Sequence, residues 1–292
     1  MKRDETTGQA VHGDAEQTVR WVRERYGTIA RTGSGCCPPQ ASCCGGTSEQ
    51  VIALGIGYTP ADLTLLPDGA NLGLGCGAPI AQLALATGET VLDLGAGAGV
   101  DAILAARAVG PTGRVLGVDM TAEMLERARA NAAAAGLTNL EFREGRLESL
   151  PVADASVDAV TSNCVVNLVP DKAAVFREIH RVLRPGGRLV IADILLDGEL
   201  PAAIATDVFA WVGCIAGAME RARYFALLEE AGLRQVEVLA DVDYLAATGG
   251  DDPAELRDVM AAAGITTADI AGVVRSVTFR AVKPPAGASA AP

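Results

Sequence analysis

Short apolar runs alternate with longer segments of helical period from Thr90 onward. TVLDL (90–94), RVLGVD (114–119), NLEFREG (139–145), SVDAVTSN (156–163) and GRLVIAD (187–193) read as strands. VDAILAARAV (100–109), TAEMLERARANAAAAG (121–136) and DKAAVFREIHRVL (171–183) read as the helices between them. Thr121 and Asp171 stand where N-caps belong, and Gly136 and the Pro185-Gly186-Gly187 turn stop the last two helices. Strands alternating with helices of this length predict βαβ units and an α/β, Rossmann-like, doubly wound and mostly parallel sheet.

The flanks are less regular. AEQTVRWVRER (15–25) predicts a helix with Trp21, Val22 and Tyr26 on one side, and 31–49 is a Gly, Ser, Pro and Cys loop. After the fifth strand, helices are expected around 202–218, 220–231 and 252–264, with strands at 233–240 and 274–282. The tail 284–292 reads as disordered by composition. The expected division is therefore an N-terminal helix and Cys-rich loop (1–75), a core (76–200), a C-terminal region completing the sheet (201–283) and the tail.

Composition narrows the chemistry. Of 292 residues 50% are apolar but only 4% aromatic, so aliphatic side chains must fill the core. Twenty-four Lys and Arg against 36 Asp and Glu leave a net charge of -12, which argues against broad binding to nucleic acid or anionic membrane. The first ten residues hold no apolar run, and the longest uncharged one, Val208 to Met219, is too short for a bilayer and reads as a buried helix. A cytoplasmic protein is expected. Its seven cysteines are odd in number and suit metal binding or catalysis better than crosslinking.

Asp93 ends the first strand, ahead of Gly95, Gly97 and Gly99, and Asp119 ends the second. A glycine turn opening a helix, with a distant acid for ribose hydroxyls, points to a nucleoside-bearing cofactor. Asp93 would repel the phosphates of a dinucleotide but suits the ammonium of an amino acid. VLDLGAGAG, VDM, LPVADASVDAV and RVLRPGGRLV resemble the class I S-adenosylmethionine-dependent methyltransferases. The resemblance implies S-adenosylmethionine, with Asp93 and Gly95 to Gly99 around the methionyl part and Asp119 at the ribose. It puts Met120 and Leu147 beside the adenine, Glu148 near its amine and Asn163 beside the methionyl group. For Met120 and Leu147, ordinary core packing is an equal reading.

Cys164 follows the fourth strand, Cys76 precedes the first, and Cys214 follows the fifth. Each alone reads as a buried thiol; together they would form a soft site above one sheet edge. Zinc sites usually use close CxxC spacing, which CCPPQASCC lacks. Trivalent arsenic, thiophilic and carrying a lone pair, fits better on softness grounds.

NLGLGCGAP, SNCVVNLVPDK, VFREIHRVLRPGGRL and the GC..GA segment are similar to the arsenite S-adenosylmethionine methyltransferases, over about residues 71–220 and in the shorter bacterial form. That resemblance implies Cys76, Cys164 and Cys214 as arsenic-holding thiolates. It implies arsenite arriving as a glutathione or other thiol complex, and thioredoxin or glutathione as reductant. It also implies a disulfide from Cys76 to an N-terminal cysteine, and Cys36, Cys37, Cys43 and Cys44 all remain candidates for that redox or delivery role. Where animal and algal members have tyrosines before the GCG cysteine and a Glu before the last cysteine, this chain has Leu74 and Gly213. Trp211 packs on the site or in the core. Neither His12 nor His180 lies in a site loop, which suits a nucleophile that carries no proton. Two other readings stand beside this one: methylation of a small organic metabolite, and a non-catalytic thiol-based metalloid sensor.

Overall fold

β1 (Thr90–Leu94), β2 (Arg114–Asp119), β3 (Leu140–Glu144), β4 (Val157–Asn163) and β5 (Leu183–Leu196) pair in parallel in the order β3-β2-β1-β4-β5. β6 (Met219–Glu220) pairs in parallel with the end of β5. β8 (Val274–Val282) lies antiparallel beside β5, and β7 (Arg234–Asp243) antiparallel beside β8 at the edge. The computed structural model describes residues 15–33, 48–205, 215, 217–244 and 254–287. His12, Cys36, Cys37, Cys43, Cys44, Trp211, Gly213 and Cys214 lie outside them, as do 206–214 and 216 of the expected 202–218 helix. No helix among the described residues is long and apolar enough to cross a membrane.

Four of the five residues of β1 are buried, the burial expected of a strand covered on both faces. The short helices α2 (Ser48–Gly55), α3 (Pro60–Thr64) and α4 (Pro79–Gln82) precede β1, and the covering helices include α5 (Val100–Val109), α6 (Ala122–Ala134) and α7 (Lys172–Val182). Asp171 caps α7 by accepting the N–H of Ala174 at 2.9 Å. Thr121 occupies the N-cap of α6 but makes no side-chain cap bond. Its N–H instead donates to Asp119 Oδ1 at 2.8 Å, so the acid that ends β2 organises this helix start. Gly136, with φ 69°, follows the α6 C-cap in the conformation glycine favours.

Three elements, α1, β5 and β7 (which reaches Asp243), run past their predicted ends, and two of them show why. α1 (Ala15–Thr32) passes Arg25 because its later turns pack on α6, where Arg31 bonds Glu123 and Ile29 and Ala30 are buried. β5 passes Asp193 because β8 pairs with it in unbroken register from Arg188 to Leu196. Pro185 to Gly187 fall in an irregularity where β4 pairing jumps from Leu183 to Arg188. The last part of β5 rests on aromatic packing: Tyr224 meets Phe176 edge-on at 5.1 Å and Phe279 at 5.7 Å.

Gly117 of β2 lets Phe142 and the glycine turn close over the sheet. A Cβ there would lie 2.5 Å from Phe142 and 2.9 Å from Ala96. Gly117→Ala is expected to lower unfolding free energy by about 1–3 kcal/mol through overpacking, read by urea titration.

Candidate active site

In the order β3-β2-β1-β4-β5 the winding reverses between β1 and β4, and ligands of open α/β sheets bind beyond the C-terminal strand ends at such a point. The last residue pair there is Leu94 with Ser162. Gly95, Gly97 and Gly99 follow with φ of 66°, 51° and 90°, which an L side chain rarely adopts. A Cβ on Gly95 would overlap Val165. The N–H groups of Gly95 and Ala96 both donate to Val118 O, at 2.8 and 3.0 Å, pinning the turn to β2. Asp119 Oδ2 accepts the N–H of Gly97 at 2.9 Å, so one carboxylate ties together the turn and the helix after β2.

Asp93, Gly95, Gly97, Asp119, Met120, Leu147, Glu148 and Asn163 all line one cavity, and Gly99 is buried behind it against Phe142 and Ala128. Val19, Val22, Tyr26 and Ile29 of α1 form part of its wall. Arg23 secures that wall by donating to Met120 O at 3.1 Å and to Glu144 at 2.8 Å. Leu147 satisfies both of its readings, facing the cavity while packing in the apolar core. Glu148 is paired with Arg146 at 3.0 Å.

The cavity is rich in carboxylate. Asp93 is 2% exposed, and its Oδ2 has no hydrogen-bond partner. Burial, then the negative charges of Asp101 and Asp119, push its carboxyl well above the ordinary range. Asp101, in the first turn of α5, is pushed up to about 6 by burial, against hydrogen bonds from Tyr58 and Asn163. Burial also raises Asp119, against the N–H groups it accepts. An orphaned buried carboxylate oxygen beside a second acid, next to a glycine turn, fits a cofactor bearing an ammonium and a ribose.

Cys76 and Cys164 meet. Their sulfurs and a carboxylate oxygen of Asp193 all lie within 4.8 Å of one another. Cys164 lies directly past β4 with φ 58°, a backbone state a non-glycine residue holds only when its surroundings require it. Its N–H donates to Ala192 O at 2.8 Å, and its side chain lines the cavity. The main chain of Cys76 is gripped from two strands: its N–H donates to Asn163 Oδ1 at 3.0 Å, and Ser276 of β8 donates to its carbonyl. Gly77 cannot carry a side chain here, since a Cβ would lie 2.5 Å from that of Ala192.

Three participants are missing from the residues the sequence singles out. Asp193 is fully buried, its Oδ2 accepting Tyr224 Oη at 3.0 Å and its Oδ1 the N–H of Ile194 at 3.0 Å. Burial pushes it up to about 7, opposed by Lys172 and the Tyr224 hydroxyl. A lone acid inside LVIADILL was its signal, since strands buried on both faces are otherwise apolar. Tyr58 and Asp101 are the other two. An acid in a first helical turn is commonplace, and a tyrosine in a turn-rich stretch carries no signal at all.

A methyltransferase domain model matches residues 85–232. An arsenite methyltransferase of Halobacterium salinarum is 48% identical over 77% of this chain and 59% of its own length. One from Aquipseudomonas alcaligenes is 43% identical over 50% of this chain and 43% of its own. The chain thus spans 59% or less of these relatives. The crystal structure of an arsenic(III) S-adenosylmethionine methyltransferase from Chlamydomonas reinhardtii superposes with a TM-score of 0.58 at 31% identity, covering 81% of this chain and 74% of that one.

Proposed function

Because the chain belongs to the arsenite methyltransferase family and carries its methyltransferase domain, we propose that it transfers methyl groups from S-adenosylmethionine to thiol-bound trivalent arsenic. The observation that carries this reading is the meeting of Cys76 and Cys164, from distant segments, where Cys164 lines the acid-rich cavity. When bound, S-adenosylmethionine supplies an electrophilic methyl group, which the arsenic lone pair takes.

The chain's own residues bind and orient. Asp93 and Asp101 receive the ammonium, and Asp119 accepts from the ribose. Met120 and Leu147 flank the adenine, with Glu148 near its amine and Asn163 at the methionyl side. The absent side chains of Gly95, Gly97 and Gly99 let the backbone approach. Residues 76–200 form this cofactor core in the proposal, and 201–283 complete the sheet and the arsenic site.

Cys76, Cys164 and Cys214 exchange with the thiols that deliver arsenic. Each exchange forms one Cys–S–As bond and breaks one As–S bond, and the cysteine proton leaves on the departing thiol. Catalysis then rests on positioning. Methyl transfer raises arsenic formally from the trivalent to the pentavalent state. A further round therefore needs two electrons from a thiol reductant such as thioredoxin or glutathione, with Cys36, Cys37, Cys43 and Cys44 as relay or delivery groups. The cytoplasm, where those thiols stay reduced, is the assigned compartment.

Purified protein given S-adenosylmethionine, arsenite and glutathione is expected to yield methylarsenicals, identified by liquid chromatography with elemental detection. Protein that binds S-adenosylmethionine yet makes none would redirect the reading to an organic acceptor. Cofactor affinity carries a pH signature. Protonation of Asp101 removes a charge that attracts the ammonium, so calorimetric affinity is expected to weaken as pH falls through about 6. A flat profile from pH 5 to 8 would count against that carboxylate's part.

A further inference from the structure

We propose that Tyr58 and Asp101 are positioning residues that make cofactor binding and the posture of Cys76 interdependent, acting through Asn163. The inference deepens the proposed function and rests on it for the identities of the two ligands.

The connection is a continuous chain of hydrogen bonds. Tyr58 Oη donates to Asp101 Oδ1 at 2.8 Å. Asn163 Nδ2 donates to Tyr58 Oη at 3.0 Å and reaches Asp101 Oδ2 at 3.2 Å. The same nitrogen donates to Gly77 O at 2.7 Å. On its other face, Asn163 Oδ1 accepts the N–H groups of Cys76 at 3.0 Å and Gly77 at 3.3 Å. The amide therefore has its acceptor on the cysteine segment, while its donors span that segment and the acid. Two backbone donors at Oδ1 settle which end is oxygen.

This amide has no slack. A Cβ on Gly75 would lie 3.1 Å from both of its polar atoms, so the cysteine segment lies directly against it. Tyr58 and Asp101 are each 6% exposed, so bulk water competes little for these bonds. Asp101 and Asp93 both line the cavity, and the unpartnered Asp93 oxygen marks where a cation is wanted. A ligand ammonium drawn to this pair fixes the Asp101 carboxylate in place. The fixed carboxylate orients Tyr58 and Asn163, and Asn163 orients Cys76. By linkage, arsenic on Cys76 must favour cofactor binding by the same factor.

Ser276 provides the contrast. It holds the Cys76 carbonyl from β8, apart from the Asn163 hydrogen bonds to this segment's N–H groups. Loosening Cys76 there should weaken arsenic binding without breaking the relay.

The test measures arsenite affinity by calorimetry with and without saturating S-adenosylhomocysteine, which keeps the ammonium but has no methyl to give. Each protein supplies its own ratio, so general loosening of the fold cancels, and melting temperatures verify folding. Wild type is expected to bind arsenite roughly five-fold or more tightly with S-adenosylhomocysteine present. In Tyr58→Phe the ratio should fall toward one, and in Ser276→Ala it should persist. A wild type that binds both ligands with a ratio near one overturns the coupling while leaving the methyltransferase reading intact. An unchanged ratio in Tyr58→Phe overturns it too, as does an equal loss in both variants. A wild type that binds neither ligand overturns the proposed function and this inference together.

Discussion

Cys164→Ser is expected to lose arsenite methylation by at least about 100-fold, since partners that merely orient metal ligands are worth about 10–100-fold. The replacement keeps size and shape and changes only the donor atom. A serine hydroxyl is a hard donor that stays protonated at neutral pH, so exchange onto trivalent arsenic fails. Cys164 holds a left-handed φ of 58° beside a cavity-facing side chain, which is the arrangement expected where the side chain, not the backbone, is wanted. Cofactor affinity should stay within about twofold, because the substitution leaves the carboxylates and the glycine turn assigned to S-adenosylmethionine unchanged. Arsenic speciation, run beside calorimetry of S-adenosylhomocysteine, checks both halves. Full methylation by the serine variant would remove Cys164 from the mechanism. Loss of cofactor binding as well would mean the substitution damages the pocket.

Asp93→Asn is expected to weaken S-adenosylmethionine binding about tenfold or more while raising stability by about 1–2 kcal/mol. Asp93 is 2% exposed with one oxygen unsatisfied, so the ligand-free fold bears an uncompensated buried acid. Its folded pKa lies above the ordinary carboxylate value, so the native state binds more protons than the unfolded chain. Stability then falls as pH rises through the window above that ordinary value. The asparagine should therefore give little advantage in acid and most of it at neutral pH and above. Denaturant melts at pH 5 and 8, beside cofactor titrations, separate the two effects. An asparagine variant that is less stable at pH 8, or that binds S-adenosylmethionine as wild type does, contradicts this account. The same logic describes a site held ready for a cation at the expense of the empty fold.

The regular half of the chain was legible because its signals are local. VRSVTFRAV forms β8 over the very residues whose composition marks a strand, and VDAILAARAV forms α5 likewise. The glycine turn was equally plain, since positive φ selects glycine wherever it occurs. Boundaries failed where tertiary packing outweighed local cues. α1 continues to Thr32 because α6 offers it a surface, and β5 continues past an acid because β8 pairs with it. Thr121 takes the N-cap position its chemistry predicts, yet its side chain makes no cap bond, and its own N–H donates to Asp119 at the end of β2.

The candidate site divides in the same way. Order along the chain determined the strand-and-helix alternation, the cofactor turn with its two acids, and the cysteines as a residue type suited to a soft substrate. These depend on spacing within one βα unit or on the chemistry of single side chains. Only the tertiary structure brought Cys76 to Cys164, set Asp193 beside them, and made Tyr58, Asp101 and Asn163 one hydrogen-bonded chain. Those relations join residues far apart in sequence. They exist because the sheet order sets the end of β4 beside β1 and β5, and because burial leaves each polar group no partner but its neighbours.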